Sequence, residues 1–255
     1  MIHKTSIISE EANISKDVDI GPYCVIGPKV SIKEGTKIHS HVNISGNTTI
    51  GSNNEIFPFV SLGNDPQDLK YKGEENYLII GNNNKIREYV NMNPGTTAGG
   101  GITKVGNNNL FMVFSHIAHD CVIGDNIVLA NNVQVGGHVN IDNNAIIGGS
   151  CAIHQYSRIG ELAMIGGMTG VLSDVIPFGL SLGNRNNLTG LNLIGLRRAN
   201  ISNENIKIMN NAYTEIFKSI TFRKNIENLK DEIRHNEYVK KIINFINADK
   251  KRPIS

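Results

Sequence analysis

An aliphatic side chain recurs at every sixth position over most of the chain from Ile8 to Val171. The series runs from Ile8 to Leu62, resumes in phase from Ile80 to Met92, and continues, shifted by one residue, from Val105 to Val171. Only two of these 25 positions hold a residue other than Ile, Leu or Val. A period of six fits neither an α-helix nor a simple strand. It predicts short strands and sharp corners, three to a coil, stacked as a parallel β-helix around an aliphatic ladder.

A second small or branched residue lies two positions before most of these aliphatics, and glycine often follows them. The cysteines occupy this small inward position, which predicts buried structural thiols: Cys24, Cys121 and Cys151. Asparagine-rich corners such as residues 81–84 supply side chains that tolerate positive φ.

Two polar segments interrupt the repeat and are predicted to project outward as loops, at residues 64–77 and 93–104. We therefore expect the β-helix to span residues 1–184. From about Ser202 the apolar spacing becomes helical, so residues 185–255 are predicted to form a helical domain of about three helices. Ser202 and Asn236 are candidate N-caps.

Composition narrows the class of protein. Hydrophobic residues make up 40% of the chain and charged residues 19%, which excludes a disordered protein. The sequence predicts neither a signal peptide nor a transmembrane segment, and three cysteines suit a reduced, cytoplasmic protein. Residues 185–255 hold 14 Lys and Arg against 7 Asp and Glu, so this region is either a solvated helical surface or a dock for an acidic partner.

Four of the eight histidines are predicted to share one edge of the β-helix: His116, His119, His138 and His154. Three hexads make one coil, and adjacent coils are about 4.8 Å apart. His119 should point outward with Gly137 one coil above it, and the same count backward places Gly101 below it.

This arrangement indicates acyl transfer. Histidine titrates near neutral pH and suits general base catalysis, and Asp120 adjoins His119. The N–H of Gly137 is a candidate oxyanion donor. Because Cys121 faces inward, no nucleophile is available, so the transfer is expected to be direct, without an acyl-enzyme.

Several motifs resemble the UDP-N-acetylglucosamine O-acyltransferase family of hexapeptide-repeat transferases. They are SHIAHDC at 115–121, LANN at 129–132, GGH at 136–138, AIIGG at 145–149, HQ at 154–155, NDPQDLKY at 64–71, RE at 87–88 and GGGITKVG at 99–106. The resemblance covers nearly the whole chain. It implies a left-handed parallel β-helix with a C-terminal α-helical region, assembled as a homotrimer with active sites between subunits.

The implied reaction moves a 3-hydroxyacyl chain from acyl carrier protein to the 3-hydroxyl of UDP-N-acetylglucosamine, the first step of lipid A biosynthesis. Neither a cofactor nor a metal is implied, and no nucleic-acid partner. Matching positions assign general base, supporting carboxylate and oxyanion donor to His119, Asp120 and Gly137. The implied substrate contacts are Gln67, Asp68, Lys70, His116, His138, His154, Gln155, Asn192 and Arg198. The implied ruler for an acyl chain of about 12 to 14 carbons comprises Gly149, Met164 and Gly167.

The chain departs from the family pattern at the expected nucleotide end of the site. Ile194 stands where Glu is frequent, Ala199 where a second Arg is common and Arg185 where His is common, and Asn93-Pro94 replaces a His-Arg pair. A 3-amino sugar nucleotide, giving an amide product, therefore remains an alternative acceptor. The sequence also leaves room for another hexapeptide-repeat acetyltransferase, the N-acyltransferase acting later in lipid A assembly, a three-histidine zinc enzyme of the same fold, and a purely structural β-helix.

Overall fold

The computed structural model describes residues 1–249 and 252–255, and its first two-thirds follow the six-residue period. Strands of two to five residues form three sheets that surround one core, and all of them except the last are parallel to their neighbours. The first sheet contains β1 (Ile7–Ile8), β4 (Val25–Ile26), β7 (Asn43–Ile44), β10 (Ser61–Leu62), β13 (Asn91–Met92), β16 (His116–Ile117), β19 (Gln134–Val135), β22 (Ala152–Ile153) and β25 (Gly170–Val171).

The second sheet contains β2 (Asn13–Ile14), β5 (Ser31–Ile32), β8 (Asn47–Ile50), β11 (Tyr77–Ile80), β14 (Ile102–Val105), β17 (Val122–Ile123), β20 (Asn140–Ile141) and β23 (Arg158–Ile159). The third contains β3 (Asp19–Ile20), β6 (Lys37–Ile38), β9 (Glu55–Ile56), β12 (Lys85–Ile86), β15 (Leu110–Phe111), β18 (Val128–Leu129), β21 (Ile146–Ile147), β24 (Met164–Ile165), β26 (Gly179–Leu182) and β27 (Asn187–Leu191). The last two strands form an antiparallel hairpin.

Most corners of the coil contain a residue with a left-handed backbone, and the three edges use different residue types. We call the corner from first to second sheet the histidine edge; its left-handed residues include Asp120, His138 and Tyr156. The corner from second to third sheet is the asparagine edge, with Asn53, Asn83, Asn108, Asn126 and Asn144. The corner from third to first sheet is the aromatic edge, where neighbouring rings stack: Tyr23, His41, Phe59, Tyr89 and Phe114.

The aliphatic ladder lies inside the coil, as the period predicts. From Ile20 to Val171 every position of the series is buried, and all three cysteines are buried at the small inward positions. This core ends at Val175, and a second core begins at Ile176. The predicted boundary between residues 184 and 185 lies in the turn of the β26–β27 hairpin.

The two insertions differ from the predicted outward loops. Strands β11 and β14 begin at Tyr77 and Ile102, so both loops are shorter than expected. Residues 93–96 are buried, and a 3₁₀ turn at Thr97–Gly99 follows them. The second loop therefore folds back over the histidine edge, because its polar groups find partners there.

The described part of the C-terminal region has five helices rather than about three: α1 (Leu193–Arg198), α2 (Asn203–Phe217), α3 (Phe222–Glu227), α4 (Asp231–Arg234) and α5 (Glu237–Ala248). The predicted N-caps are confirmed, since the Ser202 side chain accepts from Asn205 N–H and the Asn236 side chain accepts from Tyr238 and Val239 N–H. Three of the helices have six residues or fewer, too short to be distinguished by apolar periodicity. Within residues 1–249 and 252–255, none of the helices combines the length and apolar character that crossing a bilayer requires.

Candidate active site

His119 and Asp120 form a buried pair at the corner after β16. The imidazole Nδ1 lies 2.8 Å from Asp120 Oδ2, and the two side chains are 7% and 0% exposed. The sequence predicted an outward His119. Its ring does lie outside the coil, where Gly137 and His138 pack against it, while the loop of residues 93–101 lies against Asp120. An ionised carboxylate accepts hydrogen bonds only, so Nδ1 carries the proton and Nε2 is left as the acceptor.

Two threonines that the sequence reasoning missed complete the surroundings of Asp120. Thr96 donates to both carboxylate oxygens, from its N–H to Oδ1 at 2.8 Å and from its hydroxyl to Oδ2 at 2.6 Å. The N–H of Asp120 donates to the Thr103 hydroxyl at 2.8 Å, which holds its left-handed backbone. Both lie inside or beside the glycine-rich insertion, and that position was the only signal of them in the sequence.

Gly137 lies directly against the His119 ring, as the stacking of successive coils predicts. A Cβ built on Gly137 would lie 2.6 Å from the imidazole Cε1, closer than real Cβ atoms approach other atoms. Glycine is therefore required for this packing. Among the described residues, the Gly137 N–H has no hydrogen-bond acceptor.

His138 faces His119 from the next coil. The two rings meet edge to face at 5.0 Å, and His138 Nε2 lies 3.9 Å from Asp120 Oδ2. Burial lowers the pKa of His138, against the raising effect of the nearby Asp120 carboxylate. Tyr156, one coil further on, stacks on His138 at 4.3 Å and was not among the predicted site residues.

The donor atoms of His119, Asp120 and His138 lie within 4.8 Å of one another, close enough to hold a metal ion. The Asp120 oxygens, however, already accept three hydrogen bonds, one of them from His119 Nδ1. These contacts are those of a proton-transfer pair, and the same atoms would have to change partners to bind a cation.

His116 lies on the outer surface of the first sheet, near enough to His119 for their charges to interact. Its Nδ1 lies 2.7 Å from Asn91 Oδ1, and burial lowers its pKa. Gln67 lines the same shallow cleft, of about 330 Å³. The structure therefore brings Gln67 and His116 together on the first sheet, where Tyr89 and Phe114 of the aromatic edge also line the cleft.

The remaining predicted contacts near the histidine edge are more exposed. His154 and Gln155 are exposed two coils above His119, where the His154 ring approaches the Gln155 carbonyl. In the first loop, Asp68 Oδ1 accepts from the N–H of the exposed Lys70. The Asp68 charge reaches His138, whose pKa it raises slightly.

Asn192 and Arg198 line a separate, mainly apolar groove of about 790 Å³ between the third sheet and α1. Met164, Ile194 and Ala199 also line it. Asn192 is the N-cap of α1, accepting from Gly195 N–H, and its amide donates to the Leu162 carbonyl. A single chain thus places Asn192, Arg198 and Met164 on a different face from His119.

Gly149 and Gly167 lie one coil apart on the aromatic edge. Neither has a left-handed backbone, which belongs instead to Ser150 and Met168. A Cβ at Gly149 or Gly167 would meet its nearest neighbour at 3.4 or 3.3 Å, so a side chain fits with at most a small shift. The fold does not itself require glycine at these two positions.

Cys121 is excluded as a nucleophile by its surroundings. Its side chain is fully buried, and burial raises its pKa to about 12. The thiolate needed for attack is therefore not formed near neutral pH. The site offers a buried His–Asp pair and an unpartnered N–H, which suit proton abstraction beside an oxyanion.

Comparisons with known proteins identify the family of the chain. Residues 174–255 match the family described as UDP N-acetylglucosamine O-acyltransferase, domain 2, and residues 102–137 match the bacterial transferase hexapeptide. The acyl-[acyl-carrier-protein]--UDP-N-acetylglucosamine O-acyltransferase of Sulfurovum sp. is 48% identical over 98% of this chain and 96% of its own. The protein of the same name from Rhizobium johnstonii is 41% identical over 100% of this chain and 94% of its own.

Solved structures give the same answer for the fold. The LpxA structure from Acinetobacter baumannii covers 100% of this chain and 99% of its own, with a TM-score of 0.95 at 45% identity. The UDP-N-acetylglucosamine acyltransferase of Campylobacter jejuni covers 99% of this chain and 97% of its own, with a TM-score of 0.92 at 35% identity. The predicted left-handed β-helix with C-terminal helices is thereby confirmed, and the chain is an acyltransferase that belongs to the UDP-N-acetylglucosamine O-acyltransferase family.

Proposed function

We propose that this chain transfers a 3-hydroxyacyl group from acyl carrier protein to the 3-hydroxyl of UDP-N-acetylglucosamine, opening lipid A biosynthesis. The observation that carries the proposal is the buried His119–Asp120 pair packed against the backbone of Gly137. The near-full-length relatives from Sulfurovum and Rhizobium, which bear the name of this reaction, support the choice of substrates.

In the proposed mechanism, His119 Nε2 takes the proton of the sugar 3-hydroxyl while that oxygen attacks the thioester carbonyl carbon. The carbon–oxygen bond forms, and the Gly137 N–H stabilises the resulting oxyanion. Collapse breaks the carbon–sulfur bond, and His119 returns the proton to the leaving thiolate. Asp120 holds the ring in the required tautomer and stabilises the imidazolium. Because the Cys121 thiol is buried and protonated, transfer is direct.

The sugar nucleotide is proposed to bind along the histidine edge. Gln67 and His116 share one cleft on the adjoining first sheet, and the charge of Asp68 reaches His138. Lys70, His154 and Gln155 are exposed nearby and are free to turn toward a ligand. Asn192 and Arg198 are the proposed contacts for the uridine and phosphate end.

A homotrimer would unite these groups. Within one chain the groove of Asn192, Arg198 and Met164 lies on a different face from His119. A neighbouring copy that packs its groove against the histidine edge would complete the site between subunits. Light scattering of the purified protein tests this assembly, and a monomer at micromolar concentration would contradict it.

The ruler for the acyl chain is proposed at Gly149, Met164 and Gly167. The two glycines leave the outer surface of their corners bare although the backbone accommodates a Cβ there. Glycine at these positions is therefore proposed to leave room for a ligand, and the ligand proposed is an acyl chain of about 12 to 14 carbons. Gly167→Met should shift preference toward shorter chains, and an unchanged length profile would place the end of the groove elsewhere.

The basic C-terminal region is the proposed dock for acyl carrier protein, an acidic partner. Lys224 and Arg234 are exposed, whereas Arg223 is half-buried and donates to the Asp249 carbonyl. Reversing the charge of Lys224 and Arg234 should raise KM for the protein thioester more than for the sugar. Equal effects on both substrates would indicate a solvated surface only.

One assay tests the proposed reaction and its alternative acceptor. Acyl carrier protein thioesters of graded length are combined with UDP-N-acetylglucosamine and with its 3-amino analogue, and ester and amide products are measured. Ile194 and Ala199 put apolar side chains in the groove where the family often has charged ones, while Arg185 lies in the exposed hairpin turn. Ester formation supports the proposal. Amide formation alone would assign the amino sugar, and no transfer from any thioester would overturn both.

A further inference from the structure

We propose that Thr96 is a positioning residue that assigns the Asp120 carboxylate to His119 rather than to His138. The inference rests on the proposed function of His119 as general base. It concerns the glycine-rich insertion, to which the proposed mechanism gives no other part.

The Asp120 carboxylate lies between two imidazoles. Its Oδ2 is 2.8 Å from His119 Nδ1 and 3.9 Å from His138 Nε2. A modest rotation of the carboxylate would bring it within hydrogen-bond distance of the second ring. Which histidine pairs with Asp120 therefore depends on the contacts that fix the rotation of the carboxylate.

Thr96 supplies that restraint. Its N–H binds Oδ1 and its hydroxyl binds Oδ2, so both oxygens are held by one residue. Thr96 is 2% exposed and the Asp120 side chain is 0% exposed, so water does not compete for these bonds. Hydrogen bonds to a charged acceptor in such a site are among the stronger ones.

The loop is shaped to bring Thr96 there. A Cβ on Gly99 would overlap the carboxyl carbon of Asp120, so only glycine lets the loop lie against the carboxylate. The backbone of Asp120 is anchored separately, because its N–H donates to Thr103 at 2.8 Å. Loss of the Thr96 hydroxyl should therefore release the carboxylate while leaving the corner folded.

The test is Thr96→Val, which keeps the shape and the N–H but removes the hydroxyl. We expect kcat to fall about 10- to 100-fold, as for loss of a buried bond to a charged group, with KM for both substrates within about twofold. Thr96→Ser restores the donor and should keep kcat within about threefold. Thr97→Val, at the exposed neighbouring threonine, is the matched control and should behave as wild type.

A double variant separates positioning from a merely structural role. If Thr96 acts through Asp120, then Thr96→Val should cost less than about twofold in an Asp120→Ala background. Equal losses in both backgrounds, a kcat within threefold of wild type for Thr96→Val, or no rescue by Thr96→Ser would each overturn the inference. His119→Ala distinguishes its failure from that of the proposed function, because a fully active His119→Ala enzyme would refute the base itself.

Discussion

The asparagine edge and the histidine edge both turn the chain through residues with a left-handed backbone, but they use different residue types. Most coils place a left-handed residue at both corners, and asparagine adopts that conformation at little cost. The asparagine edge uses Asn108 and Asn126, whereas the same two coils place Asp120 and His138 at the histidine edge. The asparagine edge uses the residue type that best tolerates positive φ. The histidine edge instead uses Asp120 and His138, whose side chains form the candidate active site.

The polar side chains of the asparagine edge also find their hydrogen-bond partners within that edge. Asn84 lies between two neighbouring coils, donating to Asn54 Oδ1 and the Gly106 carbonyl and accepting from Asn109 N–H. The histidine edge cannot close its hydrogen bonds by stacking alone, because Asp120 needs Thr96 from an inserted loop. Regular repetition builds the scaffold, and an interruption of it completes the site.

The largest effect expected from this contrast is on catalysis at the histidine edge. His119→Ala should lower kcat by about 10²- to 10⁴-fold because it removes the general base. The variant should still fold, since the ring lies outside the aliphatic core, with a lower thermal midpoint because the buried Asp120 loses one of its three hydrogen bonds. Steady-state kinetics beside a melting curve checks both statements, and retention of more than a tenth of wild-type kcat would refute the assignment of the base.

Gly137→Ala should be the next most damaging change. The new Cβ would meet the His119 ring at 2.6 Å and displace it, and misplacement by about 1 Å can cost about 100-fold in rate. Gly27→Ala is the matched control, since Gly27 has no proposed part in the site and its Cβ finds its nearest neighbour at 3.4 Å. If both alanine variants lose kcat equally, close packing against His119 is not the reason.

At the asparagine edge the same kind of truncation should affect stability and spare catalysis. Asn84→Ala leaves the Asn109 N–H and the Gly106 carbonyl without their side-chain partners, and should cost about 1–3 kcal/mol of unfolding free energy. Denaturant unfolding at fixed protein concentration measures this loss. An undiminished unfolding free energy, or a large fall in kcat of the folded variant, would break the comparison between the edges.

The β-helix could be predicted from the sequence because every sixth residue must be aliphatic to fill the inside of the coil. Equal spacing between coils put Gly137 against His119 correctly. The same count failed across the insertions, where Asn91 pairs with His116 and the inserted loop lengthens the coil. Gly101 therefore does not lie directly below His119 as expected.

The parts of the site that could not be predicted depend on long-range or unrepeated contacts. Thr96 reaches Asp120 through a loop whose path no period describes. The loop also packs against the Asp120 carboxylate, whose burial is therefore not explained by its own hexad. Tyr156, by contrast, lies one regular coil after His138 and could have been found by the same arithmetic.

The smallest expected effect is on the pH dependence of the unfolding free energy, and it concerns His116. Burial lowers the pKa of His116 in the folded protein, so below about pH 6.5 the unfolded chain binds a proton that the folded chain resists. As the pH is lowered below that point, the unfolding free energy should therefore decrease, by at most about 1.4 kcal/mol per pH unit for this group. His116→Gln should flatten this slope because it removes the titrating ring. Denaturant unfolding between about pH 5 and pH 7 compares the variant with wild type. Parallel slopes for His116→Gln and wild type would show that burial of this ring does not destabilise the folded state in acid.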